Sequence, residues 1–248
     1  GLFAKVVNKS GSIGARALAG RAWCAFELGD DARCKEALLA AKKHPEVGPE
    51  MPGLLELESA LLHRQGQWPE AVQVARSYLQ SYGDQQKAAG MRYALGVALA
   101  RSGQQGEARD VFSRLVVDGG YPDQGRVLYE LAWACRRDGD DAAALESFRR
   151  VAALGKDPEL VGEARLFVGT SLLQAKPPQL EQATEWLAKV TGRHQKQALY
   201  RLGFAEFEAA GSAAKVDRAM LGKARDRFAA IAALDGDDLL GEALYLGA

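Results

Sequence analysis

Apolar residues fall three and four apart over most of the chain, the spacing that gives a helix one dry face. Two phrases recur within that pattern. The first ends on a small residue: Tyr93-Ala94-Leu95-Gly96, Tyr129-Glu130-Leu131-Ala132 and Tyr200-Arg201-Leu202-Gly203, with Leu166-Phe167-Val168-Gly169 and Tyr245-Leu246-Gly247-Ala248 as looser copies. Its small residue returns at Ala22, Ser59, Gly96, Ala132, Gly169, Gly203 and Ala248, in steps of 37, 37, 36, 37, 34 and 45 residues. The second phrase is a small residue, a large apolar residue four later and another apolar residue three after that. Its instances are Ala108/Phe112/Leu115, Ala144/Phe148/Val151, Ala183/Leu187/Val190 and Ala224/Phe228/Ile231, with Cys34/Leu38/Ala41 and Ala71/Ala75/Tyr78 as weaker copies. Near-equal steps of this length mark a structural repeat.

Turn signals lie between the two phrases: Leu28-Gly29-Asp30-Asp31, Gln65-Gly66-Gln67-Trp68, Ser102-Gly103-Gln104 and Asp138-Gly139-Asp140-Asp141. Glycine just past a helix supplies a left-handed C-cap, and Asp caps the helix that follows. Pro69 sits in a first helical turn, where its missing N–H costs nothing. Pro45, Pro49, Pro52, Pro122 and Pro158 fall in the loops between units. Each unit therefore reads as helix, tight turn, helix, loop. The predicted repeats are 12–45, 50–82, 86–118, 122–154, 158–191 and 194–234. Phe3 and Val6 keep the three-residue spacing, so residues 1–9 read as the end of a preceding repeat, and 237–248 as the start of a further one. The expectation is a single solenoid over residues 1–248, cut from a longer repeat protein.

Two units depart from the pattern. The fifth turn, Gln174-Ala175-Lys176-Pro177-Pro178, is longer and lacks glycine. The sixth unit carries an insertion between Ala209 and Lys223 that includes Gly211-Ser212-Ala213-Ala214. Val216, Ala219, Met220 and Ala224 are helically spaced there, which predicts an extended, kinked second helix.

The small residue in the first helix, the turn glycine, the Ala opening the second helix and the aromatic after it together resemble the tetratricopeptide repeat over almost the whole chain. The resemblance implies an all-α fold, an α-solenoid wound as a right-handed superhelix, whose first helices line a concave groove. Units of 36–37 residues with Tyr before Leu-Gly are similar to bacterial envelope members, the outer-membrane assembly lipoprotein and the Tol–Pal-associated periplasmic protein; that implies a lean toward the periplasm. The resemblance also implies which positions face the groove. Three before the small residue these are Ala19, Glu56, Tyr93, Tyr129, Leu166, Tyr200 and Tyr245. Just after it come Trp23, Ala60, Val97, Trp133, Thr170 and Phe204. Four after stand Phe26, His63, Ala100, Arg136, Leu173 and Phe207, and five after stand Glu27, Arg64, Arg101, Arg137, Gln174 and Glu208. The expected partner-binding set is Trp23, Phe26, Tyr93, Arg101, Tyr129, Trp133, Arg137, Tyr200, Phe204 and Phe207, because Tyr, Trp and Arg dominate interface hot spots. Two readings stay open for the tyrosines: ligand contact, or packing with only the hydroxyl exposed. The Arg64, Arg101 and Arg137 series either attracts a carboxylate partner or complements the helix dipole. The Lys and Asn set with which chaperone-binding members hold a terminal carboxylate is missing from the matching positions, which disfavours that ligand.

Charge and composition narrow the functions. With 32 Lys+Arg against 32 Asp+Glu the formal charge is zero, whereas nucleic-acid binders concentrate cations. Charge-free stretches are shorter than the ~18 residues of a membrane span. Cys24, Cys34 and Cys135 lack C-x-x-C spacing and read as inert core thiols. His44, His63 and His194 make no pair at ligand spacing. Asp138-Gly139-Asp140-Asp141 and Asp235-Gly236-Asp237-Asp238 lack the ligand alternation of a calcium loop and read as turns and caps. No phosphate loop or nucleophile elbow occurs, and Glu206 and Glu208 point to different sides of one helix. The expectation is no enzyme, no metal and no cofactor. The first functional reading is a scaffold holding a protein or peptide. The second is a recruiting arm of a multidomain enzyme or transcription regulator, and self-association through the repeat ends is a third.

Overall fold

The computed structural model describes residues 12–84, 88–154, 156–212 and 216–234. Among these residues every regular element is helical. Residues 1–9, Tyr245, Ala248 and the Asp235–Asp238 turn lie outside them, as do residues 213–215 of the insertion. The chain forms two compact units, Gly1–Pro122 and Asp123–Ala248. The first holds α1 (Ser12–Glu27), α2 (Asp31–Lys42), α3 (Met51–Arg64), α4 (Trp68–Tyr82), α5 (Ala88–Arg101) and α6 (Gln105–Asp118). The second holds α7 (Gln124–Arg137), α8 (Asp141–Leu154), α9 (Pro158–Gln174), α10 (Leu180–Leu187), α11 (Gln195–Ser212) and α12 (Arg218–Ala232). Within each unit the helices pair as hairpins. Inside a unit, each second helix packs on the first helix that follows it, and successive first helices also touch.

One turn is used four times. Gly29, Gly66, Gly103 and Gly139 take φ of 73°, 68°, 86° and 88°, a region that a side chain disfavours. The residue after each glycine donates its N–H five residues back, Asp30 to Ala25, Gln67 to Leu62, Gln104 to Leu99 and Asp140 to Cys135, all at 2.9 Å. This pairs carbonyls that the helix end would otherwise leave bare. Asp30 and Asp140 then accept from the N–H groups of Arg33 and Ala143 at 3.0 and 2.9 Å, capping α2 and α8.

The small residue of the first phrase is small because the second phrase lies on it. A Cβ added at Gly96 would come within 2.6 Å of the Phe112 ring, one at Gly169 within 2.5 Å of Leu187, and one at Gly203 within 3.1 Å of Phe228. Phe112, Phe148 and Phe228 are at most 1% exposed. These contacts join the two helices of each hairpin and make the core.

The fifth turn has no glycine: Ala175 is extended after α9, Gln179 N–H reaches back to Leu172 O at 2.9 Å, and α10 has only eight residues. In the sixth hairpin the insertion lengthens the first helix, not the second. α11 runs nine residues past Gly203, where each earlier first helix runs five past its small residue. The Asp217 side chain accepts from Ala219 and Met220 N–H and starts α12. Val216, expected inside that helix, precedes the cap and is 62% exposed. Asp217 is the stronger local signal, because a cap satisfies two bare donors while the apolar spacing before it has nothing to pack on. Cys34 and Cys135 are buried, but Cys24 is exposed. The same register at Leu61 and Ala98 is buried; α1 has no described hairpin before it to cover that face.

Candidate partner-binding clefts

In the second unit the first-helix faces carry two arrangements. On α7 the Tyr129 hydroxyl donates to Glu163 Oε2 on α9 at 2.9 Å. Burial and that bond push its phenol up to about 12. Trp133 meets Phe148 edge-on at 5.5 Å and Phe167 at 6.1 Å, and Phe148 lies 4.3 Å from Phe167. Tyr129 and Trp133 are therefore half-buried members of an aromatic cluster that ties two hairpins together. Arg137 is exposed, with its guanidinium 5.8 Å from the Trp133 ring centre. Its neighbour Arg136 is bound to the Asp141 carboxylate.

Between α9 and α11 an open cleft of ≈ 810 Å³ is lined by Thr170, Leu173 and Gln174 on one side and Tyr200, Phe204 and Glu208 on the other. All six occupy positions that the resemblance assigns to the groove. Tyr200 and Phe204 stack at 6.3 Å with 16° between their planes, and Tyr200 also backs onto Phe228 at 6.2 Å. Phe204 is 38% and Phe207 41% exposed, a large apolar area to leave in water on one helix. Arg201 joins the lining, and Thr170 Oγ1 is buried without a hydrogen-bond partner.

In the first unit Trp23, 37% exposed, meets Phe26 edge-on at 6.3 Å. The Arg64 guanidinium lies 3.9 Å above Phe26, donates to its carbonyl and is bound to Asp31. Arg64 is thus a tie between hairpins and not the free cation of the expected series. Tyr93 is half-buried and stacked on Tyr121 at 4.5 Å, and Arg101 is exposed at the end of α5. A second cleft, ≈ 620 Å³, opens between α3 and α5 and includes Glu56, Ala60 and His63. The Tyr78 hydroxyl donates to Glu56 Oε1 at 3.1 Å, and burial with this bond pushes the phenol up to about 12. The structure thus groups Trp23 with Phe26, Tyr129 with Trp133 and Arg137, and Tyr200 with Phe204. Tyr93 is joined to Tyr121, outside the expected set.

Two residues have roles that the sequence reading missed. Phe167 precedes Val168-Gly169 where the sister phrases have Ala94, Glu130 and Arg201, and that substitution was the visible signal. Glu206 stands three after Gly203, where earlier units carry Ala25, Leu62, Leu99, Cys135 and Leu172. It is 3% exposed, and its Oε2 lies 3.6 Å from Arg227 Nε, beyond hydrogen-bond distance. Burial pushes its carboxyl up, against the pull of Arg227 and Lys223, while Glu208 is exposed. Among the described residues no three His, Cys, Asp or Glu side chains gather as metal ligands, and no helix is long and apolar enough to cross a membrane.

The tetratricopeptide repeat family model matches residues 61–124 and 93–160. No curated protein matches significantly. Among solved structures, the C-terminal part of a TPR repeat-containing protein from Cytophaga hutchinsonii superposes with a TM-score of 0.71 at 18% identity, covering 98% of this chain and 92% of that one. PilF of Pseudomonas aeruginosa gives 0.61 at 16%, covering 93% and 96%. YrrB, a TPR protein with an unusual peptide-binding site, gives 0.52 at 22%, covering 77% and 88%. With the hairpins above, these matches identify the fold as an α-solenoid of tetratricopeptide repeats.

Proposed function

We propose that this protein, an α-solenoid of tetratricopeptide repeats, is an interaction scaffold that grips a segment of a partner protein on its first-helix faces. The fold suggests a protein–protein scaffold. The observation that carries the docking site is the α9–α11 cleft, where six groove positions from two successive repeats meet and Phe204 stays open to solvent. Stacked units turn one position per repeat into a continuous surface, which is how such folds hold extended partners. The half-buried Tyr129 and Trp133 serve that surface as its frame, and Phe204, Phe207, Arg137 and Arg201 as its contacts. In the first unit Trp23, Phe26, Tyr93 and Arg101 complete the proposed partner-binding set. The repeat length and the Tyr-x-Leu-Gly phrase support a bacterial envelope setting.

Phe204→Ser with Phe207→Ser tests the reading, because both rings are partly in water and their loss spares the core. Partner capture by the intact protein should fall at least about tenfold, the cost of losing one hot-spot ring, with an unchanged melting curve. Undiminished capture would place the docking surface elsewhere.

A further inference from the structure

In the α9–α11 cleft one pair of repeat positions changes character. Between α7 and α9 that pair is Trp133, just after its small residue, and Phe167, two before the next one, and their rings meet at 6.1 Å. One repeat later the same two positions hold Thr170 and Arg201, and both line the cleft. The ring contact that closes the earlier pair of first helices is thus missing from the later pair, and the gap stays open. The position of Arg201 carries Gly20, Leu57, Ala94, Glu130 and Phe167 in the earlier repeats, so this cation belongs to the cleft and not to the repeat. Arg201 is half-buried and has no ion pair or hydrogen bond among the described residues. Glu208 lines the same cleft but stands seven residues further along α11, about 10 Å of helix, and has an interaction of its own.

Resting on the scaffold reading, we infer that this cleft takes an aspartate or glutamate side chain of a partner polypeptide, with an apolar residue two positions away in the same extended segment. The apolar side chain occupies the place of the missing ring, against Leu173 and Phe204, and the carboxylate meets the Arg201 guanidinium. A planar guanidinium offers paired donors to a carboxylate, and opposite charges attract more strongly in a partly dry cleft than in open water. Alternate residues of an extended chain point the same way and lie about 7 Å apart, a span that the Arg201 side chain covers from its place one turn before Phe204. A lysine or arginine in the acidic place would face a like charge. A neutral residue would strip water from the guanidinium and return no counter-charge.

The test uses the full chain, labelled with nitrogen-15 and titrated with three capped pentapeptides: acetyl-Ala-Leu-Ala-Glu-Ala-amide and its Gln and Lys counterparts, each in both sequence orders to cover the two chain directions. The caps remove any terminal carboxylate. In one order the glutamate peptide should give saturable shifts at the amides of Leu173, Arg201, Phe204 and Ala205. It should bind at least about tenfold tighter than the lysine peptide, and tighter than the glutamine one. Arg201→Gln should erase that preference and Arg201→Glu should reverse it, with melting curves confirming that both variants fold; about 0.5 M salt should weaken it. Phe204→Ser should weaken all three peptides alike. A lysine or glutamine peptide that binds as well as the glutamate peptide, or a glutamate preference that survives Arg201→Glu, overturns the inference. If no peptide finds a site while Phe204→Ser with Phe207→Ser still loses capture, the inference falls and the scaffold reading stands. If the glutamate preference follows Arg201 while capture ignores α11, the α9–α11 docking of the natural partner falls and the acid selectivity of the cleft stands.

Discussion

Hairpins α5–α6 and α11–α12 are built on the same two phrases and differ in nearly everything between them. In the first, α5 has 14 residues and a glycine turn delivers α6 onto it; in the second, α11 has 18 residues and Asp217 restarts the chain as α12. Gly96 faces Phe112 and Gly203 faces Phe228 all the same. At the next register of the core, Leu99 is replaced by Glu206. The repeat therefore fixes the contact between its helices and leaves the connection free. The longer α11 is also the helix that exposes Phe204 and Phe207, so the freedom in the connection falls beside the proposed docking face.

Emptying the shared contact should produce the largest effect. Phe112→Ala and Phe228→Ala should each cost about 3–5 kcal/mol, measured by denaturant unfolding; a near-neutral result in either hairpin would break the equivalence. A smaller effect separates the two. Gly96→Ala drives a methyl into the Phe112 ring and should cost about 1–3 kcal/mol. At Gly203 the approach is 3.1 Å, so Ala there should be close to neutral, its better helix propensity offsetting the tighter fit.

Glu206→Gln sharpens the comparison at about 1 kcal/mol, the scale of relieving a buried charge that is only partly paired. The sign follows from the raised carboxyl. The unfolded chain loses this proton at lower pH than the folded one, so the residue's contribution is most favourable in acid and declines as pH rises. The variant should therefore gain stability at pH 7 and lose that advantage toward pH 4. An advantage independent of pH would mean the carboxyl is not protonated on burial. Gly103→Ala should cost about 1 kcal/mol through its positive φ, a penalty with no counterpart among the described residues of the sixth hairpin.

The hairpins, the glycine turns and the small-residue contacts were legible because each rests on local spacing. Gly96 and Phe112 lie sixteen residues apart, as do Ala132 and Phe148, Ser59 and Ala75, and Ala22 and Leu38. The sixth hairpin misled because periodic apolar residues from Val216 onward outweighed Asp217, a single capping residue. The site was legible as positions but not as roles. Arg64 and Arg137 occupy the same place in their repeats, yet Arg64 found Asp31 and the Phe26 carbonyl across a hairpin boundary. Trp133 and Phe204 are equivalent too. Phe148 and Phe167 crowd the first, while the second has an open cleft beside it. Such neighbours come from other repeats, and one repeat's sequence does not reveal them.

The most direct test places a photo-crosslinking phenylalanine at Phe204 on α11 and, separately, at the exposed Arg150 on α8, in the intact protein in its native cells. The account predicts one discrete crosslinked species from position 204 and none from 150. Crosslinks from 150 alone, or the same products from both, would contradict docking on the first-helix face.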